Sequence, residues 1–136
     1  MNGPTRLVAY SGTIDAEKNI EIVNLVIPDI NKLLKGVDWT FVHDGARPHT
    51  SKETLSALTP KVPHLFPKAD WPANSPDDNP VEFPFGFLED EIGPKECSTV
   101  QVLEREVRNA WKELTPEYCR KCIESLPSRL KQMIET

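Results

Sequence analysis

The chain has 136 residues, enough for one modest core, and its 38% hydrophobic and 27% charged content is that of an ordinary folded domain. No apolar run approaches the ~20 residues of a membrane span, and MNGPTRLVAY holds no apolar signal core, so a soluble intracellular protein with no membrane contact is expected. A net charge of −5 excludes free nucleic acid as the partner that bulk charge selects, because lysines and arginines must replace phosphate counterions.

Along the chain, Arg6 to Tyr10 is a short apolar run suited to a strand, and Ser11-Gly12 turns it. Thr13 or Asp15 can cap the next element. From Ala16 to Leu34 the apolar residues Ile20, Val23, Ile27, Ile30 and Leu34 recur at three- and four-residue spacing, which predicts an amphipathic helix. Pro28 marks a kink or a break in it, and Lys35-Gly36 supplies a cation and a left-handed stop. Trp39 to Val42 reads as a buried strand ending in His43-Asp44-Gly45. A turn at Pro48 to Ser51 then leads into a helix through Leu58, capped by Thr50 or Ser51. Val62 to Phe66, bracketed by prolines, predicts a third strand.

Asp70 to Pro84 is loop-like, and a loop of that length tends to be functional. A helix from Phe85 to Ile92 follows, stopped by Gly93-Pro94. Ser98 or Thr99 caps a further helix striped by Val100, Leu103, Val107, Ala110 and Trp111. Pro116 to Ser125 and Pro127 to Ile134 read as two short helices with proline in the first turn. This order predicts a single α/β domain over residues 1–136, a short mixed sheet flanked by helices with a helical C-terminal part. Three short strands leave sheet edges that call for covering or pairing.

The cysteines Cys97, Cys119 and Cys122 are odd in number, which argues against a disulfide framework. They read as reduced thiols packed on helices. The alternative is a zinc site joining Cys119, Cys122 and Cys97 to one of His43, His49 or His64. Two acids stand out by placement. Asp44 ends an apolar strand, where open α/β sheets bind ligands, and Glu82 follows the proline-rich loop. Paired carboxylates hold hard cations such as Mg²⁺ or Mn²⁺, and two such ions can drive phosphodiester cleavage. With 21 acidic residues, solvated surface carboxylates are the simpler alternative on spacing alone.

Two segments add a resemblance. Val42-His43-Asp44-Gly45-Ala46-Arg47-Pro48-His49-Thr50-Ser51 resembles the mariner-type transposase motif in which a strand ends in Asp-Asn-Ala and continues to Pro-x-His-Thr. Trp71-Pro72-Ala73-Asn74-Ser75-Pro76-Asp77-Asp78-Asn79-Pro80-Val81-Glu82 is more similar still to that family's Trp-Pro-x-x-Ser-Pro-Asp-Leu-Asn-Pro-Ile-Glu. With Gly12 to Ala16 and the helical tail, the likeness covers nearly the whole chain.

The resemblance implies the C-terminal portion of a DDE/D-type catalytic domain with a ribonuclease-H-like fold. It implies Mg²⁺- or Mn²⁺-dependent DNA strand cleavage and transfer as the family chemistry, with DNA as partner and a nuclear location. It makes Asp44 the second catalytic carboxylate and metal ligand, Glu82 the third, and His49 a supporting residue that positions the loop or a phosphate. The family's first catalytic Asp would stand upstream of Met1, so an incomplete fold lacking its first strand is expected. Gly45 replaces the motif's asparagine, Asp78 its leucine, and Phe83-Pro84-Phe85-Gly86 a more polar run. The expectation is therefore a catalytically inactive dimerisation or protein-interaction module, a homodimer or a complex whose partner completes the sheet. The alternative is a DNA endonuclease or transposase fragment active with a complementing segment.

Overall fold

The computed structural model describes residues 3–70 and 79–135. The chain forms two compact units, one of Val8–Asn74 and one that joins Met1–Leu7 to Ser75–Thr136.

The middle unit is built on helix α1, Ala16–Leu33. Asp15 caps it, its Oδ1 accepting from the Lys18 amide at 2.8 Å, which satisfies one of the orphan donors at the helix start. The helix carries Pro28 inside one continuous run, so of the expected kink or break the break is not formed. The chain then leaves through Gly36, whose φ of 76° is the left-handed conformation that favours glycine.

α1 packs on a single turn, α2 (Arg47–Thr50), and on α3 (Lys52–Leu58). The sequence reads α2 as a turn; Pro48, with its φ already set, nucleates a helical turn there instead. Ser51 caps α3 by accepting from the Thr54 amide at 3.1 Å. Ile27, Leu58 and Thr54 are buried in this unit. The Thr54 hydroxyl, 2% exposed, donates to the Pro48 carbonyl at 2.6 Å, so its burial is compensated.

Strands β1 (Thr40–Phe41) and β2 (His64–Leu65) pair in parallel, Thr40 opposite His64 and Phe41 opposite Leu65. The Phe66 amide extends the ladder to the Phe41 carbonyl at 2.9 Å. Among the described residues the sheet has two strands and is parallel rather than mixed. Both strands are two residues long, shorter than the expected Trp39–Val42 and Val62–Phe66. Arg6–Tyr10 forms no strand, since β character in a short run is realised only by a neighbouring strand to pair with. The unit remains α/β in class, with helix dominating.

The flanking unit is helical: α4 (Glu82–Ile92), α5 (Val100–Lys112), α6 (Pro116–Glu124) and α7 (Leu126–Glu135). α4 begins three residues earlier than Phe85, so Glu82 opens it and Pro84 sits in its first turn, where no intrahelical donor is lost. Thr99 and Thr115 cap α5 and α6, each hydroxyl accepting an amide at 3.2 and 3.1 Å. Leu88, Ala110, Leu114 and Cys122 are its buried apolar residues. The first segment of the chain belongs here, because the Trp111 indole Nε1 donates to the Thr5 carbonyl at 2.9 Å. Among the described residues no helix is long and apolar enough to cross a membrane.

Candidate functional site

Strand β1 carries the chain out of the sheet at Phe41, and three residues later Asp44 stands where the ladder ends. Pro48 then starts α2 and brings His49 back towards it. The His49 Nδ1 donates to Asp44 Oδ1 at 2.5 Å, and the Ala46 amide donates to the same oxygen at 3.0 Å. The Asp44 side chain is 52% exposed, and both bonds fall on Oδ1; Oδ2 has no described partner. Burial alone would raise its pKa, but the Ala46 amide and the His49 ring together outweigh it and hold the carboxyl below its ordinary value.

His43 completes the cluster from the other side. Its ring meets His49 edge-on at 5.9 Å between centroids and leans on Phe41 at 6.1 Å. Its Nδ1 is buried and makes no well-formed hydrogen bond. Burial, then the neighbouring His49, lower its pKa, so the neutral imidazole is favoured and works as a packing surface against His49. Sequence reasoning weighs His43 only as a zinc ligand. Its place beside Asp44 on an alternating strand end is the signal that pairs it with the site. A second imidazole–carboxylate pair lies at the sheet, where His64 Nε2 meets Asp38 at 2.8 and 3.0 Å; both side chains are largely exposed.

Glu82 lies in the flanking unit, exposed at the first position of α4. Asn79 sets the entry: its side-chain oxygen accepts from the Val81 amide at 3.2 Å and its carbonyl from the Glu82 amide at 3.1 Å. The next residue is held from behind. The Tyr118 hydroxyl donates to the Phe83 carbonyl at 3.0 Å, and the Arg129 guanidinium covers the Phe83 ring at 4.2 Å from its centroid. These two anchors on α6 and α7 fix the turn that presents Glu82, and nothing in the motif announces them. Trp71 to Asp78, most of the second motif, lies outside the described residues.

Among the described residues no three His, Cys, Asp or Glu side chains are grouped as metal ligands, and this includes the cysteines weighed for zinc. Cys119 and Cys122 are thiols on α6. The donor chemistry at Asp44, a charged carboxylate with Oδ2 unengaged by the described hydrogen bonds, suits a hard cation.

No protein-family model matches the chain. Against individual proteins, it is homologous to transposases of the Tc1/mariner family. The Tc1 transposase of Caenorhabditis elegans is 32% identical over 100 residues, which cover 74% of this chain and 36% of that protein. The Tc3 transposase of the same organism is 33% identical over 101 residues, 73% of this chain and 30% of its own length. The Tcb1 transposase of Caenorhabditis briggsae is 26% identical over 133 residues, 98% of this chain and 47% of its own. The matches thus span between 30% and 47% of the curated relatives' lengths.

Proposed function

We propose that this transposase-derived chain is an interaction module, associating with a second copy or with a partner protein and cutting no DNA by itself. The observation that carries the reading is the apolar surface of α4 and α5. Phe85 is 49% exposed, Leu103 42% and Val100 75%, at a place where a finished globular surface would be polar. The open two-stranded ladder of the middle unit adds backbone groups that a partner strand can satisfy. The net charge of −5 and the departures at Gly45 and Pro84 support a role away from strand cleavage. In this reading the fold is ribonuclease-H-like in ancestry, the location is nuclear, and Asp44 and Glu82 are vestigial. Light scattering at micromolar concentration, alone and with nuclear extract proteins fractionated by size, tests it. A lone monomer in every fraction overturns it.

A second reading is favoured by the Asp44–His49 pair. A carboxylate kept charged at a strand end, with one oxygen unengaged, is what a Mg²⁺- or Mn²⁺-dependent strand-cleaving site requires. Asp44 would be a ligand of the ion, which would supply water activation and stabilise the departing oxygen, and His49 would fix the Asp44 rotamer. The chain would then act together with a complementing segment. Divalent-dependent nicking of supercoiled plasmid that disappears in Asp44→Ala establishes this reading and overturns the first. No nicking and no Mn²⁺ binding at low salt removes it.

A further inference from the structure

We infer that the groove between α4 and α5 takes a basic amphipathic helix of a partner protein. The inference rests on the interaction reading above and names the kind of partner.

The groove is open, of about 420 Å³, and is lined by Phe85, Leu88, Glu89, Ile92, Gly93 and Leu103. Leu88 forms its buried floor, while Phe85 and Leu103 stand half-exposed. Val100, one helical turn before Leu103, lengthens the apolar row along α5. An open trough between two helices suits the ridge of a third, whose apolar side chains at i, i+3, i+4 and i+7 would enter it.

Charge decides which helix fits. α4 reads EFPFGFLEDEI: it carries Glu82, Glu89, Asp90 and Glu91 and no lysine or arginine. Glu89 lines the groove itself, and Glu89, Asp90 and Glu91 take part in no described ion pair. On α5, by contrast, Glu104 is paired with Arg108, and Glu106 with Lys95 and Arg105. The charged side chain that lines the groove is therefore Glu89, an acid of α4 with no described ion pair. A second copy docked through this face would set one acidic row against another, on a chain that already carries −5. Nucleic acid and anionic lipid are repelled by the same charges. A helix with apolar anchors flanked by lysine and arginine satisfies both the floor and the rim.

The test is a library of helical peptides displayed on phage, selected on the full chain and counter-selected on its Leu103→Glu variant. The expected winners carry lysine or arginine around apolar anchors at helical spacing. Synthesised, they should bind at least tenfold more weakly to Leu103→Glu and to Glu89→Lys, and more weakly as salt rises. Val100→Ser, at a position 75% exposed, provides a milder groove variant should Leu103→Glu lose helical circular dichroism. Winners that are neutral or acidic, or whose binding ignores both groove variants, overturn the inference. A homodimer dissociated by Leu103→Glu also overturns it while leaving the interaction reading standing. No groove-dependent winner overturns the inference alone, whereas a lone monomer in every extract fraction besides overturns both.

Discussion

At the scale of single residues, Asp44 shows how a charged group is held without a lysine or arginine. The Ala46 amide and the His49 ring both donate to Oδ1, and together they outweigh the partial burial that would favour the neutral acid. A carboxyl with a lowered pKa contributes stability that is present above the ordinary value of 3.8 and lost as pH falls through the lowered one. His49→Ala should therefore move the Asp44 titration upward towards 3.8, read from its side-chain carbonyl carbon by NMR, and shift acid unfolding to higher pH. An unchanged Asp44 titration would show that the Ala46 amide suffices. A second expectation concerns the thiols of α6. Burial pushes both the Cys119 and Cys122 thiols up, so at pH 8 both should be alkylated several-fold more slowly than free cysteine, and at the free rate in denaturant. The position of Asp44 just beyond β1 is legible in the sequence, because an acid following an apolar run is conspicuous. The edge-on contact of His43 with His49 is not, since it depends on Pro48 folding the chain back into α2.

Among the elements, the helices are readable in the sequence, and the strands are shorter than their side chains suggest. Helix limits are set locally: Asp15, Ser51, Thr99 and Thr115 each cap the helix they precede, and each cap is visible as a residue type. A strand's limits are set by its neighbour. Trp39 and Val42 have strand-like side chains, but the parallel register engages Thr40 and Phe41 alone. The sequence puts the start of α4 at Phe85 for a related reason, because Pro84 looks like a boundary and is instead accommodated in a first turn. That turn is where an element-level prediction applies. Tyr118→Phe removes the hydroxyl that donates to the Phe83 carbonyl and should cost about 1 kcal/mol in urea unfolding, with faster amide exchange confined to the first turns of α4. In the middle unit, Thr54→Val keeps the shape and removes the donor to the Pro48 carbonyl. Because that site is buried, the expected loss is larger, about 1–3 kcal/mol by the same measurement.

For the whole molecule, the feature the sequence hid is the division of the chain. Met1–Leu7 packs with Ser75–Thr136, and Val8–Asn74 forms its own unit. Nothing in RLVAY signals that its first two residues and its last three go to different units; only the Trp111 indole reaching Thr5, 106 residues away, reveals it. Deleting residues 1–7 should thus lower the melting temperature of the helical unit, and the loss should be reproduced in part by Trp111→Phe, which keeps the ring and removes the donor. Loss of signal from the middle unit in the same deletion, followed by NMR of Thr54, would contradict this division.

That long closure also dictates an order of events in time. The contacts that hold the middle unit, such as Lys61 to Asn24 and Asn19 to Pro48, bridge 37 and 29 positions, all within residues 8–74. Bringing Thr5 to Trp111 closes a loop of 106, with an entropy cost about 2 kcal/mol above that of a ten-residue loop. On a ribosome Thr5 emerges before the middle unit and must wait until α5 has been made, while the part synthesised between them is already able to fold. A segment translated before the middle unit thus finds its place after it.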